Sequence, residues 1–175
     1  MASINGISLK NVRTFPDHEG CRIAGGDVWY NGKKLGHWQQ DYYCGPDNYD
    51  FDERVLQKEV DAYKQSDLVK EEYRDVVGLG CLLEDLLHLK ERETICKRYF
   101  KKGSRTVVFF SDGYHFTYFW TPKDKESALT CDFFKKTLAE CQESFLEDEK
   151  LEVAAYEAGT ADFDITVGAS GSGKE

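Results

Sequence analysis

Thr106-Val-Val-Phe-Phe-Ser-Asp-Gly-Tyr-His-Phe-Thr-Tyr-Phe-Trp120 is the stretch that decides the fold class. Val107 to Phe110 and Tyr114 to Trp120 carry β-branched and aromatic side chains on both alternating faces, the residues that suit a pleated, buried surface. Between them, Asp112-Gly113 supplies a dipeptide that two-residue hairpin turns favour, because their central residues need positive φ. The expectation is an antiparallel hairpin near the middle of a sheet.

Working outward toward the N-terminus, Ile7, Leu9 and Val12 alternate with polar residues between Ile4 and Phe15, a strand pattern. Asp27 to Tyr30 and Lys33 to Gln39 flank Asn31-Gly32, a second hairpin signal, so the N-terminal region reads as an antiparallel meander. Gly45-Pro46-Asp47 breaks the pattern, and Asp50 or Asp52 can cap a helix that carries Leu56, Val60 and Tyr63 at helical spacing. Asp67 restarts a helical stripe of Val69, Tyr73, Val76, Gly80, Leu83 and Leu87. Gly78 and Gly80 sit inside it, where glycine costs about 1 kcal/mol relative to alanine, which predicts a break or kink there, the alternative being a close approach by another backbone. The helix continues through Leu86 and Cys96 to Lys97, Arg98, Lys101 and Lys102, cations that suit a helix C-terminus, and Gly103 stands where a helix stop is expected.

Beyond the hairpin, Thr121-Pro122 reads as a cap and first helical residue, with Cys131, Phe134, Leu138, Cys141 and Phe145 on one helix face. Leu151 to Tyr156 and Phe163 to Val167 read as terminal strands or tail. The sum is an α+β fold: one antiparallel sheet, built from the N-terminal meander and the central hairpin, packed against three or four helices. Residues 1–167 are expected to form a single domain and residues 168–175 a flexible tail. Gly168 to Lys174 follows the glycine spacing of a phosphate-binding loop. Glu175 stands where such a loop needs Ser or Thr to hold magnesium, so the segment reads as tail.

Charge is sorted into blocks. Residues 1–40 carry a net +2, residues 41–93 a net −8, residues 94–125 a net +5 and residues 126–167 a net −8, within an overall charge of −9. Solubility needs net charge but not this sorting, which implies faces with strong fields of opposite sign. An acidic chain repels phosphate backbones, so direct duplex DNA binding is not expected, and only Lys97 to Arg105 could meet phosphate. No stretch is apolar enough for a membrane span and no segment reads as a signal peptide, so the expected location is the cytoplasm. In that setting the six cysteines read as reduced thiols rather than a disulfide framework.

Candidate chemistry is sparse. His18, Cys21, His37 and Cys44 lie in or beside the meander, and two hairpin-linked pairs of such ligands could close a tetrahedral zinc site; ordinary loop histidines and buried cysteines fit the same residues. No other cofactor is implied. Cys81, Asp85 and His88 share a helix face, as metal ligands or as the margin of a core. Cys44 and His115 form a nucleophile–base pair in type alone, with no glycine pattern to build a nucleophile turn, and no enzyme signature follows. Tyr42, Tyr43 and Tyr49 stand among Asp41, Asp47, Asp50 and Asp52, a composition that suits recognition of a basic partner or a structural cover.

The run Ile7-Ser-Leu-Lys-Asn-Val-Arg-Thr-Phe15, a glycine-containing loop, and Val28-Trp-Tyr-Asn-Gly-Lys-Lys-Leu-Gly36 resembles the opening of small accessory proteins of bacterial phages, prophages and conjugative elements. The resemblance covers about a quarter of the chain and is a strand-turn-strand pattern. It implies an accessory protein of a mobile element acting in the bacterial cytoplasm, a group that includes anti-CRISPR proteins, some of which bind Cas9-type nucleases. That group shares a role and not a fold, so no residue role carries over. The residues meet the suggestion independently, since a nuclease holds nucleic acid in a basic channel that carboxylates can occupy. Asp61, Asp67, Glu71, Glu72, Asp75, Glu147, Asp148 and Glu149, with Tyr42 and Tyr43, are the expected partner-binding residues. The expected function is non-enzymatic inhibition of a defence nuclease; the alternative is a metal-binding or Cys/His-dependent accessory enzyme of a phage.

Overall fold

The structure, a computed structural model, describes residues 1–43, 45–111, 116–121, 136 and 152–167. The chain divides into two compact units, one of Met1–Lys90 with Phe163–Glu175 and one of Glu91–Asp162.

In the first unit, β1 (Ser3–Ile4), β2 (Ile7–Pro16), β3 (Arg22–Tyr30), β4 (Lys33–Gln39) and β5 (Asn48–Tyr49) form consecutive antiparallel pairs. Asn31 (φ 47°) and Gly32 (φ 80°) make the expected two-residue turn between β3 and β4. Asn5 (φ 49°) and Gly6 (φ 75°) make a second one between β1 and β2, and the Asn31 N–H donates to the Gly6 carbonyl at 3.0 Å, so one turn supports the other. Ile7, Leu9, Val28 and Trp38 are fully buried, and Ser8 between the first two is buried as well. The pairing of β2 with β3 slips between Lys10 and Arg13, where Asn11 takes φ 51°.

One finding corrects the sheet. β9 (Asp164–Ile165) lies parallel to β1, giving a mixed six-stranded sheet of order β5-β4-β3-β2-β1-β9 rather than a purely antiparallel one. Its amide bonds run from Ser3 to Phe163 and from Asn5 to Ile165, and the Asn5 side chain accepts from the Val167 N–H at 2.8 Å.

Asp52 caps the 3-10 turn Glu53–Leu56 that leads into α1 (Gln57–Lys64), with its Oδ1 accepting from the Arg54 N–H at 3.1 Å. Leu56, Val60 and Tyr63 are buried at the expected spacing. Tyr30 donates to Glu59 at 2.7 Å, tying α1 to β3, and Tyr63 donates to Asp85 at 2.5 Å, tying it to the next helix. Burial and the Asp85 carboxylate both push the Tyr63 hydroxyl above its ordinary range.

The second helix, α2 (Leu79–Lys101), starts later than the sequence pattern suggests. Asp67 does not restart it. Lys70 is extended, Glu71–Tyr73 is a single 3-10 turn, and Tyr73 and Val76 face solvent instead of extending the stripe. Val76-Val77-Gly78 explains the delay, since β-branched residues and glycine are weak helix formers. Gly80 does have a close neighbour, though a side chain rather than a backbone, because an added Cβ would stand 2.9 Å from Asp47 Oδ2. At the other end, Gly103 (φ 91°) donates to the Phe100 carbonyl and Ser104 to the Tyr99 carbonyl, a paired stop of the kind glycine permits.

In the second unit, β6 (Thr106–Ser111) is buried along its whole length and lies between β7 (Phe116–Trp120) and β8 (Glu152–Glu157), both antiparallel to it. The two strands pair as expected, but only β6 is central: β7 is an edge strand, and the pair forms a sheet of its own in which the other side of β6 is taken by β8 and not by the meander. The buried Thr121 hydroxyl accepts the N–H groups of Arg105 and Thr106 at 2.8 and 3.0 Å, closing the end of β6. The fold is α+β, with two α-helices among the described residues against the three or four expected. The Asp112-Gly113 turn, the helix carrying Cys131 to Phe145, and the tail 168–175 lie outside them.

Candidate interaction surfaces

The acidic candidates of the first unit all face solvent. Asp61 lies on α1 and accepts from Gln57 Nε2 at 2.9 Å, an ordinary one-turn helix contact. Asp67, Glu71, Glu72 and Asp75 lie on the irregular segment between α1 and α2. Among the described residues none of these four makes a salt bridge, although Lys70 and Arg74 belong to the same stretch. The segment holds a feature that charge counting missed: Leu68 is 44%, Tyr73 53% and Val76 78% exposed. The segment is thus a mixed surface of uncompensated carboxylates and open apolar side chains. Glu147, Asp148 and Glu149 lie outside the described residues.

Tyr42 and Tyr43 form a second exposed group, with His18. The two tyrosine rings meet edge to face at 5.0 Å, and the His18 ring lies 5.8 and 5.3 Å from them. His18 Nδ1 donates to the Tyr42 carbonyl at 2.8 Å. Asp41 accepts the N–H groups of Gly45 and Tyr43, which hold its carboxyl below the usual carboxylate range and fix the loop. On the other side, Asp17 Oδ1 accepts from the Glu19 and Cys21 N–H groups and shapes the loop that carries His18.

The zinc candidates are not gathered by this arrangement. His18 faces the tyrosines, His37 Nδ1 faces Asp27 at 3.4 Å, and Cys21 is an exposed free thiol. Among the described residues no group of three or more His, Cys, Asp or Glu is placed to hold a metal, and Cys44 lies outside them. The Cys81, Asp85 and His88 face is the margin of a core, with Asp85 engaged by Tyr63 and Cys81 exposed. Cys96 is the buried thiol of the described set, and burial pushes it up to about 12.

Asp27 is an acidic centre with three side-chain partners. Lys34 Nζ lies 2.9 Å from it, Asn11 Nδ2 2.8 Å and His37 Nδ1 3.4 Å, and the Lys34 and Asn11 bonds pull its carboxyl down to about 2. The positive φ of Asn11, at the slip between β2 and β3, is what brings its amide to Asp27.

The second unit carries a cluster that sequence reasoning did not assemble. Tyr99 and Trp120 stack at 4.3 Å and 24°, Tyr118 lies 5.9 Å from Tyr99, and Arg98 Nη2 donates to the Tyr118 hydroxyl at 2.9 Å. The Arg98 guanidinium stands 4.9 Å and the Lys102 ammonium 5.6 Å from the Tyr99 ring centre. Its only sequence signal was Tyr99 inside the basic stretch. The pairing of that helix end with β7 is a tertiary fact.

No known protein family, no curated protein and no solved structure matches the chain. No helix among the described residues is long and apolar enough to cross a membrane.

Proposed function

We propose that this chain is a non-enzymatic inhibitor of the anti-CRISPR kind, which docks its acidic segment on a basic, nucleic-acid-binding surface of a bacterial defence nuclease. Cas9-type nucleases are the leading partner class, and the bacterial cytoplasm is the place of action. The observation that carries the reading is the surface between Asp67 and Val76. Asp67, Glu71, Glu72 and Asp75 have no cationic partner among the described residues, and Leu68, Tyr73 and Val76 are exposed on the same segment. Solubility accounts for the carboxylates but not for the apolar side chains. An interface uses both, the apolar groups as desolvated anchors and the charges for steering and register. Carboxylates spread along one segment also suit a channel built to hold a phosphate backbone. Tyr42 and Tyr43 form a separate aromatic contact of the same unit.

The test is capture of partners from bacterial lysates expressing candidate CRISPR effectors, with identification by mass spectrometry at low and high salt, followed by a cleavage assay on the nuclease captured. A salt-sensitive nuclease partner is expected. Glu71→Lys with Glu72→Lys should abolish capture and inhibition, and Tyr73→Ala should weaken binding by roughly tenfold or more. Binding that survives both changes and ignores salt overturns the proposal.

A further inference from the structure

The aromatic cluster at the C-terminal end of α2 coincides with the basic block of the sequence. Trp120 is 47% exposed although it stacks on Tyr99 at 4.3 Å, so one side of an indole is held by a neighbour while much of the rest meets water. Tyr99 is in turn flanked by Arg98 and Lys102. The Arg105 N–H donates to Thr121 Oγ1, which places Arg105 beside the Trp120 end of β7, and Lys101 ends α2 with Lys102 directly after it. A helix end explains cations near its carbonyls. It does not explain a half-exposed tryptophan stacked among them.

We propose that Tyr99 and Trp120, with Arg98, Lys101, Lys102 and Arg105, form a platform for single-stranded nucleic acid. Trp120 offers the stacking surface for one base, Tyr99 holds the indole in place, and Arg98, the two lysines and Arg105 meet the adjoining phosphates. Stacking on an aromatic face requires an unpaired base, since the bases of a duplex already stack on one another, so the platform selects single strands. Its small cationic area serves a few nucleotides, and the chain's overall charge of −9 opposes a longer contact with polyanion. These residues belong to the second unit and the acidic segment to the first, and neither proposal depends on the other.

The experiment is fluorescence anisotropy with short labelled oligo(dT) and oligo(U) strands and a duplex of equal length, over a range of salt. Single strands should bind, the duplex should bind at least tenfold more weakly, and log K should fall with log salt with a slope of about −3, as four cations give for single strands. Trp120→Ala should weaken binding roughly 10- to 100-fold. Lys101→Glu with Lys102→Glu, at exposed positions, should also weaken it and flatten the salt slope by about half, a test that stands if Trp120→Ala fails to fold. Glu71→Lys with Glu72→Lys should leave this binding intact. Equal affinity for the duplex, no effect of the lysine pair, or equally tight Trp120-dependent binding of polyglutamate would each overturn the assignment, the last in favour of an acidic protein partner.

Discussion

Replacing Gly80 by alanine should destabilise the protein, against the general rule for helices. Alanine is about 1 kcal/mol better than glycine in a helix interior, and somewhat less at the second residue of α2. A Cβ at this position, however, would stand 2.9 Å from Asp47 Oδ2. That oxygen is not free to yield, because it accepts the Trp38 indole N–H at 2.7 Å and lies 3.4 Å from the Tyr49 hydroxyl. Trp38 is fully buried, so a withdrawn carboxylate leaves its N–H without its acceptor. A hydrogen bond to a charged group contributes about 1.5–3 kcal/mol. Set against the helix gain, the net loss is about 1–2 kcal/mol. In an Asp47→Ala background the bond is already gone, and Gly80→Ala should then stabilise by up to about 1 kcal/mol. The four proteins of this cycle, compared by urea midpoint at constant slope, should show a coupling of about 2 kcal/mol. A Gly80→Ala effect that is stabilising in the parent, or the same in both backgrounds, refutes the reasoning.

Three further outcomes can be checked directly. The folded Asp27 carboxyl lies at about 2, below its unfolded value of about 3.9, so its contribution to stability is complete above about pH 4 and is lost as pH falls toward 2; Asp27→Asn should remove this part of the acid transition, as followed by circular dichroism. Thiol labelling should modify Cys21 and Cys81 rapidly, whereas Cys96, buried and pushed up to about 12, should react only on unfolding. Thr121→Val should cost about 1–3 kcal/mol and lower the melting temperature, because it strands the N–H groups of Arg105 and Thr106 at the end of β6.

What was legible in the sequence was what local physics decides. Asn31-Gly32, the Leu56, Val60 and Tyr63 stripe, the Asp52 cap and the Gly103 stop each act within a few residues, and each stands where the pattern put it. Asn5-Gly6 carries the same turn signal, but Ile4 to Phe15 alternates well enough to read as one strand and hides it. Sheet membership was not legible. Whether β6 pairs with the meander or with β8 depends on segments more than forty residues apart, and period-two alternation is the same in either case. The late start of α2 was hidden for a related reason: Tyr73 and Val76 keep helical spacing, and only their exposure reveals that the spacing is not a buried face.

The same limit separates the two surfaces. Blocks of charge indicated fields of opposite sign, but charge alone has a bland explanation in each case, a solvated helix face for the acids and a helix C-terminus for the cations. What sets these surfaces apart from the bland case is the apolar and aromatic side chains placed among the charges. Leu68, Tyr73 and Val76 stand exposed among the acids of the first unit, and Trp120 stands half exposed among the cations of the second. Both surfaces predict binding that weakens with salt, so salt dependence alone cannot tell them apart. The charge-reversal pairs can: Glu71→Lys with Glu72→Lys should silence a basic protein partner and spare a single strand, whereas Lys101→Glu with Lys102→Glu should do the opposite. A protein in which either pair silenced both activities would carry one composite site, and the assignment of separate roles to the two surfaces would fail.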